Sequence, residues 1–127
     1  MHNAGGGVYS LEAEIPTGAD YLLCLDGGEG LPDPASRFQP EGVRGPSRVV
    51  DPQGFEWTDA KWRGLEMADL VIYELHVGTF TRSGTFAGVL DRLGYLRDLG
   101  VTAIELMPVA QFSGDRNWGY DGVFPYA

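Results

Sequence analysis

The sequence predicts an α/β fold in two unlike parts, with strands and turns over residues 1–64 and a β-α-β unit within residues 65–127. In the first part, short apolar segments are interrupted by glycine and proline, which is typical of strands linked by turns. In the second part, two apolar runs rich in β-branched residues flank an amphipathic stretch. This is the pattern of two parallel strands joined by a helix.

Alternation of apolar and polar residues in the first part predicts a half-buried strand over residues 8–15. Residues 16–20 form a turn, and residues 21–25 form a second apolar strand, so we expect the two strands to pair as an antiparallel hairpin. Residues 26–48 hold much of the glycine and proline and are expected to form an ordered surface loop. Residues 48–51 then form a short strand that ends at Pro52.

The second part begins with a nearly continuous apolar run over residues 70–77, as expected for a strand buried on both faces. A helix follows, which Ser83 or Thr85 can cap and which Gly100 can end. Its predicted apolar stripe consists of Phe86, Val89, Leu90, Leu93, Leu96 and Leu99. Residues 101–107 form the second strand, which Pro108 stops.

Composition excludes several classes of function. Nine basic against eighteen acidic residues give a net charge of −9, so the chain lacks the positive charge that nucleic acids and anionic membranes attract. No apolar run is long enough to span a membrane. The one cysteine, Cys24, cannot form an internal disulfide, and its apolar strand predicts a core thiol. We therefore expect a cytoplasmic protein with no cysteine-based metal site.

Loops that follow parallel strands are where ligand sites form in α/β folds, and here they are residues 78–84 and the segment after Pro108. The second segment carries five aromatic residues, interleaved with charged and amide side chains. The aromatic residues are Phe112, Trp118, Tyr120, Phe124 and Tyr126, and the polar ones are Asp115, Arg116, Asn117 and Asp121. Rings that cover C–H faces, beside polar groups that bind hydroxyls, suit a sugar. The same rings could instead pack against a neighbouring part of the fold.

A pair of facing carboxylates, the usual machinery of glycosyl transfer, is not evident. The candidates are Glu74, Glu105, Asp115 and Asp121. Glu74 and Glu105 lie within strands, where such side chains more often form buried structural networks. Asp115 and Asp121 lie on a loop whose spacing defines no carboxylate separation. His2 and His76 are too far apart in sequence to argue for a metal site.

Three segments of the second part resemble α-amylase-type glycoside hydrolases. Residues 71–81 resemble their first barrel strand, residues 100–109 the second strand, and residues 116–123 the loop that follows it. Upstream, residues 31–37 and 45–52 are similar to the end of the β-sandwich that precedes that barrel. The resemblance implies a β-sandwich fragment over residues 1–64, immunoglobulin-like or carbohydrate-binding-module-like with a linker. It implies the first βαβ unit of an α/β TIM barrel over residues 65–127.

Within that family the chain is most similar to the malto-oligosyltrehalose trehalohydrolases. These enzymes cleave the α-1,4 bond next to the trehalose end of maltooligosyltrehalose, releasing trehalose, and need no metal or organic cofactor. Glycogen branching enzymes are a second possibility, but they usually carry Gln where this chain has Asp121. A third is a glycan-binding module without chemistry, which the βαβ pattern disfavours because such modules are all-β.

The resemblance also implies which residues contact the substrate, an α-glucan or maltooligosyltrehalose. Tyr120 would stack on the sugar at the cleavage subsite, with Trp118 and Asp121 beside it on the rim of the site. The catalytic carboxylates of the family lie on later barrel strands. The chain is therefore expected to be an internal N-terminal fragment of such an enzyme, without activity of its own and without nucleic-acid or membrane partners.

Overall fold

The computed structural model describes residues 1–127 and is built from short strands and three short α-helices. The strands are β1 (His2–Gly5), β2 (Val8–Ser10), β3 (Asp20–Tyr21), β4 (Leu23–Cys24), β5 (Gly30–Leu31), β6 (Ser47–Arg48), β7 (Ile72–Leu75), β8 (Ala103–Leu106), β9 (Gln111–Phe112) and β10 (Gly122–Phe124). The helices are α1 (Val77–Phe80), α2 (Phe86–Leu90) and α3 (Leu93–Leu99), and a 3₁₀ helix covers Met67–Asp69. The strands pair as five separate two-stranded sheets.

The predicted hairpin between residues 8–15 and 21–25 is wrong. The first strand ends at Ser10 and pairs with β1, which precedes it. Gly6 and Gly7 form the turn between β1 and β2. Both of them, and Gly5 at the end of β1, have positive φ angles (60°, 81° and 91°). Glycine adopts these angles without steric cost, so this run of glycines makes a tight turn.

The second predicted strand divides into β3 and β4, which pair with β6 and β5 respectively. Across the β3–β6 pair, Arg48 Nε and Nη2 donate to the two carboxylate oxygens of Asp20 at 2.6 and 2.9 Å. This hydrogen-bonded ion pair lowers the pKa of the Asp20 carboxyl below its ordinary value. This ion pair joins residues 28 positions apart in sequence, whereas the predicted hairpin would pair two neighbouring segments.

Buried polar side chains order the long loop between β5 and β6. Ser47 Oγ accepts from Asp33 N at 3.0 Å and donates to Gln39 Oε1 at 2.7 Å. The Gln39 amide donates in turn to the carbonyls of Gly42 and Gly45. Ser47 and Gln39 are buried, so their polar groups cannot bond to water. These hydrogen bonds replace the bonds to water that burial removes. The loop predicted over residues 26–48 therefore contains β5 and β6, and polar contacts order the segment between these strands.

The β-α-β pattern predicted for the second part is confirmed. β7 and β8 pair in parallel, in continuous register from Ile72↔Ala103 to Leu75↔Leu106. Thr102 fixes the start of the pair, because its hydroxyl accepts from Val71 N and donates to Asp69 O, both at 2.8 Å. Each strand is four residues long and shorter than the apolar run that predicted it.

The helical segment between these strands is divided. Thr85 caps α2, since its hydroxyl accepts from Gly88 N at 3.2 Å, and Gly100 ends α3 with a φ of 99°. Between them, Arg92 N donates to Val89 O in a tighter, three-residue turn. Most of α1, a helix that the sequence does not predict, lies within the loop predicted over residues 78–84. Of the predicted apolar stripe, Val89 and Leu96 are buried, whereas the other four side chains are exposed.

The apolar core is small. It consists of Leu75, Val77, Val89 and Leu96, with Phe80, Val101 and Ile104 packed against it. The accessible surface is 10,432 Å², whereas a compact monomer of 13.8 kDa exposes about 6,600 Å². Cys24 is exposed, so its assignment as a core thiol is wrong: its two-residue strand lies on no packed layer. No helix has the length and hydropathy to cross a membrane.

The many exposed large apolar side chains predict that the isolated 127-residue chain binds the dye ANS and self-associates as its concentration rises. Dye fluorescence and light scattering after size exclusion would measure both effects. A monomer that binds no dye and unfolds in a sharp, concentration-independent transition would contradict this expectation.

Tyr21 predicts a pH dependence of stability. Burial, together with the 2.7 Å hydrogen bond that its hydroxyl donates to Asp33, raises the pKa of Tyr21 from 10.0 to about 12. The fold favours the neutral phenol, so its stabilising contribution is complete below pH 10 and is lost as the pH rises toward 12. In ultraviolet titrations, Tyr21→Phe should remove a late-ionising tyrosine. Asp33→Asn should shift that ionisation to lower pH, and an unchanged curve in both variants would contradict the assignment.

Candidate functional site

The carboxyl ends of β7 and β8 lie at the same edge because the strands are parallel. Residues 113–121, which we call the aromatic loop, follow β8 and return to the fold through β10. β9 and β10 pair antiparallel on either side of the loop, with Gly122 opposite Phe112 and Phe124 opposite Gln111. The two ends of the aromatic loop are therefore held together.

His76 ties the aromatic loop to the end of β7. Its Nε2 lies 2.6 Å from the backbone carbonyl oxygen of Asn117. A carbonyl oxygen only accepts, so Nε2 carries a hydrogen and donates it. The other ring nitrogen, Nδ1, is buried and has no hydrogen-bond partner. One imidazole thus provides a direct polar link between the first strand and the loop after the second.

Asn117 also organises the loop from within. Its side-chain Oδ1 accepts from the backbone N–H of Gly119 at 2.9 Å and from that of Asp121 at 3.3 Å. Gly119 is buried and has a φ of 99°, and a Cβ there would lie 3.0 Å from Pro108 Cδ. Only glycine meets both demands, so the loop packs directly on the end of β8.

The five aromatic side chains within residues 112–126 divide into two groups. Phe124 is buried at 4% exposure and Phe112 is partly buried, so these rings pack within the fold. Trp118 and Tyr120 are 78% and 79% exposed, and Tyr126 is also exposed. Each alternative in the sequence analysis therefore describes some of the rings: packing applies to the phenylalanines, and Trp118 and Tyr120 remain available to a ligand.

The candidate carboxylates are distributed over strands and loop. Glu74 and Glu105 are register partners on β7 and β8, and both are exposed in this structure. Asp121 is exposed beside Tyr120, and Asp115 is exposed earlier in the aromatic loop. No three His, Cys, Asp or Glu side chains cluster closely enough to hold a metal ion. The arrangement offers aromatic faces and hydrogen-bonding groups at the strand ends.

Sequence reasoning missed the roles of His76 and Asn117. The sequence suggests the histidine only as a metal ligand, and the asparagine only as a polar group among aromatic residues. A local signal existed for Asn117, because Asn two residues before Gly is typical of a side chain that bonds its own backbone. Nothing local marked His76, whose partner is 41 residues away.

Comparison with known proteins extends over the whole chain. It is 54% identical, over 127 residues, to a malto-oligosyltrehalose trehalohydrolase from Deinococcus radiodurans, covering 100% of this chain and 21% of that protein. It is 50% identical to the trehalohydrolase of Saccharolobus solfataricus, covering 95% of this chain and 23% of that protein. The chain thus spans about a fifth of the length of these curated relatives. No protein-family model matches it.

A branching enzyme and a solved structure complete the comparison. A 1,4-alpha-glucan branching enzyme from Jannaschia sp. is 38% identical over 95 residues, covering 64% of this chain and 14% of that protein. A crystal structure of a candidate α-amylase from Salmonella typhimurium matches with a TM-score of 0.85 and 50% identity, covering 91% of this chain and 20% of that one. The strand-rich fold is therefore that of part of an amylase-type protein. The chain belongs by sequence to the family of the malto-oligosyltrehalose trehalohydrolases.

Proposed function

We propose that this chain is part of a glycoside hydrolase that cleaves the α-1,4 bond next to the trehalose end of maltooligosyltrehalose and releases trehalose. The observation that carries the proposal is the 54% identity to a trehalohydrolase along all 127 residues. The branching enzyme shares less identity over a shorter stretch. Asp121 also favours the hydrolase, because branching enzymes usually carry Gln at the corresponding position.

The division of the chain follows from the same proposal. Residues 1–64 form the end of a β-sandwich and a linker, and residues 65–127 form the first βαβ unit of a (β/α)8 barrel. The antiparallel pairs β3–β6 and β4–β5 support the sandwich, and the parallel pair β7–β8 supports the barrel. The exposed apolar faces of α2 and β8 would then be covered by neighbouring barrel elements.

The substrate site in this proposal lies on the aromatic loop. Tyr120 stacks on the sugar at the cleavage subsite, and Trp118 and Asp121 form the adjoining rim. Three features support this assignment: the loop follows the carboxyl end of a parallel strand, it is anchored at both strand ends, and its two rings are exposed. Glu74 on β7 and Glu105 on β8 have no catalytic role in this proposal.

A hybrid enzyme tests the function directly. In it, this chain replaces the aligned fifth of the Deinococcus radiodurans trehalohydrolase, to which it is 54% identical. We expect the hybrid to release trehalose from maltooligosyltrehalose, and the isolated 127-residue chain to release none. A folded hybrid that creates branch points in amylose would favour the branching reaction. A folded hybrid that binds maltooligosaccharides without turnover would favour the binding module, and either outcome would overturn the proposal.

Tyr120 provides a test of the site within the hybrid. A ring stacked on the reacting sugar stabilises a flattened, positively charged transition state more than the ground state. Tyr120→Ala should therefore lower kcat, raising the barrier by roughly 1–3 kcal/mol, whereas Tyr120→Phe keeps the ring and most of the activity.

The matched control is Tyr95→Ala, which removes another exposed tyrosine, on α3. It should leave kcat unchanged. If Tyr120→Ala melts early but turns over at the unsubstituted rate per folded molecule, Tyr120 is a packing residue and the site assignment fails.

A further inference from the structure

The link between His76 and the aromatic loop has a defined proton arrangement. Nε2 donates to the carbonyl of Asn117 at 2.6 Å, and Nδ1 is buried without a partner. A hydrogen on Nδ1 would be a buried, unsatisfied donor, which is costly. The tautomer with its hydrogen on Nε2 therefore fits the site, and the ring acts as a donor aimed at the aromatic loop.

Gly78 leaves room for this ring. A Cβ at position 78 would lie 3.0 Å from His76 Cε1 and 3.3 Å from Nδ1. Both distances are tighter than ordinary contact, so any side chain at position 78 would displace the imidazole. The first turn of α1 thus contributes to the orientation of His76, through the Cε1–Nδ1 edge of the ring.

Asn117 links the His76 hydrogen bond to the backbone that carries the exposed rings. The residue whose carbonyl His76 holds also accepts, through Oδ1, from the N–H groups of Gly119 and Asp121. Trp118 and Tyr120 alternate with these three residues along the chain. A shift of the Asn117 carbonyl therefore moves the backbone on both sides of each ring.

We propose that His76 is a positioning residue, whose Nε2–H fixes the aromatic loop on the end of β7 so that Trp118 and Tyr120 are held ready for the sugar. This rests on the proposed function for its substrate, but the anchoring of the loop is independent of it. His76 contacts no reacting atom in this proposal. It preorganises the binding surface, and its loss should appear mainly as weaker binding.

Two amides separate anchoring from packing. The Gln side-chain nitrogen reaches about as far as imidazole Nε2, whereas the Asn nitrogen reaches only as far as Nδ1. In the hybrid, His76→Asn should lower kcat/KM roughly five- to tenfold, the value of one hydrogen bond, chiefly through KM. His76→Gln should restore most of this loss, and Gly78→Ala, which displaces the ring without removing it, should reproduce the Asn effect in part.

The matched control is His2→Asn. It removes the other histidine, whose Nε2 bonds Ser10 Oγ at 2.8 Å in the distant β1–β2 hairpin, and it should leave kcat/KM unchanged. Equal kinetics for His76→Asn and His76→Gln, with only the melting temperature lowered, would show that the ring merely packs and would overturn the proposal.

Hydrogen exchange distinguishes failure of this proposal from failure of the proposed function. In the hybrid, peptides that cover the aromatic loop should exchange several-fold faster in His76→Asn than in His76→Gln, because the protected amides of Gly119 and Asp121 depend on Asn117. This holds whether or not the hybrid releases trehalose. Identical exchange in the two variants would refute the anchor even in an active enzyme, and the predicted difference would support it in an inactive one.

Discussion

Parallel pairing of β7 and β8 is the constraint on which the candidate site depends. Strands that run in the same direction end at the same edge, so the segments after them must meet there. His76 directly follows the end of β7, and Pro108 lies two residues after the end of β8. The aromatic loop contacts both, through Asn117 and Gly119. An antiparallel pair would send these two segments to opposite ends of the sheet.

The parts of the fold that were predicted correctly depend on patterns within one segment. β-branched apolar runs identified β7 and β8, and Thr85 and Gly100 marked the ends of the helical stretch. Pairing in the first part was predicted wrongly, because alternation shows that a strand has two faces but does not identify its partner. The glycine run at residues 5–7 decided the partner of β2, and its significance lay in three positive φ angles.

The candidate site was likewise predicted only in part from local patterns. An aromatic, polar-rich loop after a strand identified Trp118 and Tyr120 as exposed candidates, but it could not separate them from Phe112 and Phe124, which pack inward. That separation depends on the pairing of β9 with β10, which sets the buried face. The His76 anchor required the tertiary structure, because a hydrogen bond across 41 residues leaves no local pattern.

Energetics connect the anchored loop to the rest of the molecule. Polar groups hold the described fold in place at several points: the Asp20–Arg48 pair, the Ser47–Gln39 network and the His76–Asn117 bond. Apolar burial, normally the dominant favourable term, is limited here to a core of a few residues around Leu96. Directional polar contacts fix geometry but add little net stability. A chain built in this way can hold a preorganised loop in place only while its exposed apolar side chains are covered by other protein surface. Shape at the site and stability of the site therefore come from different parts of the fold: the first is encoded in these residues, and the second depends on what packs against them.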